Sequence, residues 1–174
     1  MKQIITNFNN APKKIAHILW GGVLAGTLTI LAILLLLNLL GAGLGISAYG
    51  EINDPFVSVG TTIWLFLTNI IAVFTGGLLA ARTAGLTFYM DGALQGFLAW
   101  ALYIILSSAF YISIMGNDVS ALLNIGFPDH SFLLFWVLLF GAMAGICGGI
   151  VGAILLLNRH KKEKLNESPD VDIK

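Results

Sequence analysis

Of 174 residues, 57% are hydrophobic and only 10% are charged, against roughly 25% in soluble domains, which argues against a soluble globular protein. The formal net charge is zero and the mean hydropathy is +0.89; neither terminal segment is basic enough to argue for nucleic acid as a partner. The single cysteine, Cys147, excludes an intrachain disulfide and a cysteine-built metal site.

Lys2, Lys13 and Lys14 precede the first of four long apolar stretches. That stretch, at about 15–46, exceeds the ~20 residues that cross a hydrocarbon core, so it is expected to tilt or project. Its apolar run from Trp20 to Leu40 is also longer than the roughly 7 to 15 residues of a signal-peptide core, so the helix is expected to stay. Glycines from Gly41 to Gly45 are expected to loosen its end. The first link carries only the acids Glu51 and Asp54, with a turn at Asn53-Asp54-Pro55.

The second span is expected at about 61–81, and Arg82 follows it. The next link is short, so the second and third spans form an antiparallel hairpin. Asp91 is expected to cap the third span, at about 92–115, or to pair with Arg82. The link after it carries only Asp118 and Asp129 beside His130, with a short interfacial helix expected from Asp118. The fourth span is expected at about 132–157, followed by Arg159, Lys161, Lys162, Lys164 and Lys174. The basic cluster there anchors the fourth helix and suits anionic headgroups.

Every Lys and Arg thus falls on one side of the spans, the positive-inside pattern. The expected fold is all-α: a four-helix transmembrane bundle with glycine-rich helix packing and both N and C termini cytoplasmic. Residues 1–157 form one four-span membrane domain, and residues 158–174 a polar cytoplasmic tail.

Glycine recurs in the spans at helical spacing: Gly22 and Gly26; Gly76 and Gly77; Gly92 and Gly96; Gly141, Gly145 and Gly149. Small residues four apart make a flat stripe on which two backbones approach closely, and lipid offers no hydrophobic drive between helices to replace that contact. The stripes either hold one chain's four helices together or, on the fourth helix, also bind a second copy. Asn38, Thr68, Asn69, Gln95, Tyr103, Ser107 and Ser108 lie at depth and are expected to pair between helices. The spans hold no buried acid, base or relay of the kind a coupled transporter uses. His17, His130 and His160 are too scattered for a metal site, and no catalytic constellation or cofactor motif is present.

Three blocks form a larger pattern: Trp20-Gly21-Gly22-Val23-Leu24-Ala25-Gly26; Gly76-Gly77-Leu78-Leu79-Ala80-Ala81-Arg82-Thr83-Ala84-Gly85; and Asp91-Gly92-Ala93-Leu94-Gln95-Gly96-Phe97-Leu98-Ala99-Trp100. Together they resemble a group of small bacterial multi-pass membrane proteins with no assigned activity. The resemblance covers about Trp20 to Trp100. It departs at Ala81, where the group has Gly, and at Gln95, where it has His. It implies a membrane fold in a bacterial inner membrane. The expected function is a non-enzymatic assembly or interaction protein, its partners being the lipid bilayer and further membrane proteins or copies of itself. The alternative is a small oligomeric channel or transporter for a small solute.

Overall fold

A computed structural model of the chain describes residues 19–45, 55–114 and 131–167. They form four α-helices: α1 (Trp20–Gly43), α2 (Pro55–Thr83), α3 (Tyr89–Ile114) and α4 (Ser131–Glu167). There is no strand among the described residues. Each helix contains a segment long and apolar enough to cross a membrane: Trp20–Gly43, Gly60–Thr83, Tyr89–Phe110 and Phe135–Lys164. A helix satisfies its backbone N–H and C=O groups internally, as a bilayer core requires.

The helices run up, down, up and down. Gly22 meets Ala80 and Ala84, so α1 and α2 are antiparallel. Gly92 meets Gly149 and Gly96 meets Gly145, so α3 and α4 are antiparallel. Gly148 meets Phe74 and Gly152 meets Leu78, so α2 and α4 run in parallel. α2 and α3 touch each other and both outer helices, whereas α1 and α4 share no substantial contact. In cross-section the bundle is a rhombus with α2 and α3 on its short diagonal. The start of α1, the end of α2, the start of α3 and the polar extension of α4 lie at one end. Arg82, Asp91 and Arg159 are therefore gathered at that end, called the charged end below.

Side-chain sizes are distributed inside out. The buried apolar residues are mostly alanine, with Val23, Ile30 and Val73 the larger ones. Leucines such as Leu24, Leu28, Leu35, Leu36 and Leu39 are exposed around α1. A soluble bundle buries its leucines. The arrangement here is the one that lipid surroundings favour: large side chains face outward and small ones set how closely backbones approach.

Three helix ends extend past the expected spans. The second helix begins at Pro55, ahead of the span expected at about 61–81, while its segment apolar enough to cross a membrane, Gly60–Thr83, agrees with that span. A proline is well placed in a first turn, where its missing N–H leaves nothing unsatisfied. The fourth helix passes the apolar limit at 157 and continues to Glu167, with Arg159 and Glu163 paired one turn apart at 3.7 Å. The third helix begins at Tyr89, and the Gly92 N–H already bonds to the Phe88 carbonyl at 3.0 Å. Asp91 is thus the third residue of the first turn and not the N-cap. Asp91 and Arg82 form no ion pair among the described residues. What Asp91 retains is a carboxylate beside the positive end of the helix dipole. Asp91→Ala is expected to lower stability in detergent by only ~0.3–1 kcal/mol, less than a lost cap. The helix expected from Asp118 lies outside the described residues.

The α2–α3 link is fixed by a motif that the sequence reading passed over. After Thr83 the chain makes two reversed bonds: Gly85 N–H to the Arg82 carbonyl at 3.1 Å, and Leu86 N–H to the Ala81 carbonyl at 3.4 Å. Gly85 has φ +63°. This is a Schellman ending, with glycine at the left-handed position. A methyl group at Gly85 would meet no atom within 4 Å, so its penalty is conformational rather than steric. Gly85→Ala is expected to cost ~1–2 kcal/mol. Gly21→Ala, in a helical position with equally open surroundings, should not destabilise. Thermal melts of both variants in one detergent check the contrast. The end of α1 is similar: the helix holds through Gly43 and stops at Gly45, φ +73°.

Candidate functional site

The bundle has a tight half and a loose half. In the tight half, nearest the charged end, glycine faces backbone. A methyl group on Gly26 would sit 2.7 Å from the Gly76 carbonyl oxygen, and one on Gly92 would sit 2.6 Å from the Gly149 carbonyl oxygen. Gly77 and Gly96 both face Gly145. α4 uses two stripes at once. Gly149 takes α3, Gly148 and Gly152 take α2, and Gly145 lies between them and meets both. All nine glycines singled out by spacing (Gly22, Gly26, Gly76, Gly77, Gly92, Gly96, Gly141, Gly145 and Gly149) meet other helices of the same chain.

Polar side chains tie the same half. Gln95, only 2% exposed, donates from Nε2 to the Leu19 carbonyl at 2.6 Å, joining α3 to the first residue before α1. Thr27, 1% exposed, donates from Oγ1 to its own helix at Val23 (2.9 Å) or across to the Ala99 carbonyl (3.1 Å). Thr27 is absent from the polar set picked out by sequence; a threonine i+4 from glycine-flanked Val23 carried no distinguishing signal. Of that set, Gln95 and the Asn69–Tyr103 pair (Nδ2 to the phenol oxygen, 3.5 Å) do bridge helices. Thr68, Ser107 and Ser108 instead bond back to carbonyls three or four residues earlier in their own helices. Local back-bonding satisfies a hydroxyl without any neighbour.

The loose half begins where the small residues run out. On α4 the row Gly149, Gly145, Gly141 continues one turn on to Val137. On α1 the row Gly22, Gly26 continues to Ile30, Leu34 and Asn38. On α2 the row Gly77, Val73 continues to Asn69 and Leu65. Bulkier residues hold backbones apart, and a cleft of about 660 Å³ opens among all four helices. Its walls include Leu34 and Asn38 of α1, Phe66, Thr68 and Asn69 of α2, Tyr103 of α3, and Trp136 and Val137 of α4. The Asn69–Tyr103 pair and Gly141, which faces Trp100 Nε1 and Asn69 Oδ1, mark the level at which the seam closes. One aromatic wall is braced across helices: Phe66 meets Phe140 edge-on at 5.7 Å, and Phe140 stacks on Trp136 at 5.6 Å. The cleft is open along Ile63 and Leu67, which are about half exposed. Just beyond it on α2, Trp64 Nε1 is buried with no hydrogen-bond partner among the described residues.

Chemically the cleft is apolar with a few hydrogen-bonding groups at its floor. Its volume is in the range of ligand sites, roughly 300–1,000 Å³. No acid, base or histidine lines it, and no group of His, Cys, Asp or Glu suited to a metal occurs among the described residues. Arg82 and Asp91 lie at the opposite end of the bundle and take no part in it. Comparison with protein-family models, curated proteins and solved structures finds no match to this chain.

Proposed function

We propose that the protein is a non-enzymatic assembly or interaction protein of the bacterial inner membrane. Its charged end faces the cytoplasm, both termini lie there, and its cleft receives apolar side chains from a membrane-embedded segment of a partner protein. The observation that carries the reading is the division of the bundle. The half beside Arg82 and Arg159 is closed by backbone-to-backbone glycine contacts, a tight seam that argues against a solute path along the chain's own axis. The other half offers an aromatic, uncharged cleft open to the side. Such a cleft suits the insertion of large apolar side chains, and its Asn69–Tyr103 floor suits one polar group among them. The side on which the charged end lies follows from the positive-inside pattern. The bacterial assignment rests on the resemblance of the glycine blocks to the membrane protein group described above.

The competing reading is an oligomeric channel or transporter. Solute flux separates the two. Purified protein reconstituted alone in liposomes should move ions and small neutral solutes no faster than empty liposomes. Protein-dependent movement of either would overturn the proposal in favour of a pore between copies.

A further inference from the structure

A second, smaller cavity lies at the charged end, remote from the cleft. It has a volume of about 260 Å³ and is lined by Arg82, Leu155, Leu156 and Arg159. Its construction follows from the seam. α2 and α4 run in parallel, and Gly152 lets α4 approach Leu78 and Ala81 of α2. Arg82 follows Ala81 directly, and Arg159 stands two turns past Gly152. The close approach therefore delivers two guanidinium groups to one hollow. Each carries five N–H donors in a planar fork that matches phosphate oxygens. Against these, the ion pairs among the described residues supply one carboxylate. It is Glu163, 3.7 Å from Arg159 Nε, in a pair with side chains 77% and 63% exposed. Such a pair is weak and readily exchanged. Arg82 has no ion pair among the described residues.

The depth of the hollow selects its ligand. Apolar residues of α4 end at Leu157, and Asn158 and Arg159 follow. The cavity straddles that boundary, with two leucines on the hydrocarbon side and two arginines on the polar side. Like charges held together in one hollow repel unless an anion lies between them. We infer that Arg82 and Arg159 together bind the phosphate of an anionic phospholipid headgroup, with an acyl chain lying along Leu155 and Leu156. Basic pockets between membrane helices on the cytoplasmic side are suited to such headgroups. The inference requires the helices to span a bilayer and is independent of what fills the cleft.

The test is lipid retention by the full chain. Protein is delipidated, exchanged into nanodiscs of phosphatidylcholine with a small fraction of phosphatidylglycerol, and its bound lipid is counted by native mass spectrometry. Wild type should retain phosphatidylglycerol over phosphatidylcholine. The Arg82→Gln/Arg159→Gln variant should lose that preference by about thirtyfold, at the ~1 kcal/mol scale for each of the two basic groups near the surface. The Lys161→Gln/Lys162→Gln variant removes the same charge outside the cavity and should lose clearly less of it, only the diffuse part that any basic residue near the surface supplies. Equal loss in both variants would mean diffuse attraction and overturn the site, as would an unchanged preference in the arginine variant. Displacement of the lipid by millimolar inorganic phosphate would also overturn it, pointing to a free-anion site. Should the double variant fail to fold, Arg82→Lys provides the same decision. It keeps the charge but loses the fork, so it should weaken retention, and full retention would reject the arginine geometry.

Discussion

Gly149→Ile is expected to destabilise the bundle by about 3 kcal/mol, the upper end of the usual overpacking range, without altering its assembly state. A side chain at this position would run into the Gly92 carbonyl and would lie 3.2 Å from the Gly96 nitrogen. These are backbone atoms of a packed helix and cannot rotate aside. α3 would have to move away from α4, breaking the Gly96–Gly145 contact as well. Gly21→Ile is the control, since nothing lies within 4 Å of a Cβ placed there. Thermal melts in mild detergent, with mass measured on the same samples, check both parts. A folded Gly149→Ile variant that changes only its oligomeric mass would mean that the stripe serves a second copy.

The second large effect concerns Ile30 and Gly76. Ile30 is fully buried, and its Cγ1 occupies the place a methyl group on Gly76 would take. Ile30→Ala is expected to cost about 2 kcal/mol, the low end for such truncations. The reason is that lipid removes the water-transfer part of the penalty and leaves the cavity part. Gly76→Ala is expected to cost ~1–3 kcal/mol by overpacking against the same isoleucine. The double variant should be more stable than the sum of the two by ~0.5–3 kcal/mol. It should not regain wild-type stability, because a methyl group at Gly76 also lies 2.8 Å from the Gly26 carbonyl oxygen. Strict additivity in a double-mutant cycle would show that the two residues do not meet.

These two cases show which parts of the fold were legible in the sequence. The four apolar segments and the short α2–α3 link were, because span length and charge placement are local properties. The glycine rows were legible as stripes, but not which helix each would meet. Gly145 faces both Gly77 and Gly96, a choice made by the packing of three helices together. The role of Gly85 was missed because it looked like one more glycine of a motif, whereas its positive φ completes a reversed turn. The N-cap assignment to Asp91 erred by one turn because Tyr89 and Met90, which carry no capping signal, already belong to the helix. The cleft had no sequence signature of its own. It is the space left when Gly141 gives way to Val137, and Gly26 to Ile30 and Leu34, at one level of the bundle. Such a coincidence of rows on different helices appears only once the register between helices is known.

The most direct measurement of the account is site-specific photo-crosslinking in native membranes from two positions. A photoreactive residue at Val137 lies in the cleft wall, whereas one at Ile105, 64% exposed and two residues from Tyr103, faces lipid away from it. The expected result is a discrete protein adduct from position 137 and lipid adducts alone from position 105. Lipid adducts alone from both positions, or the same protein adduct from both, would contradict it.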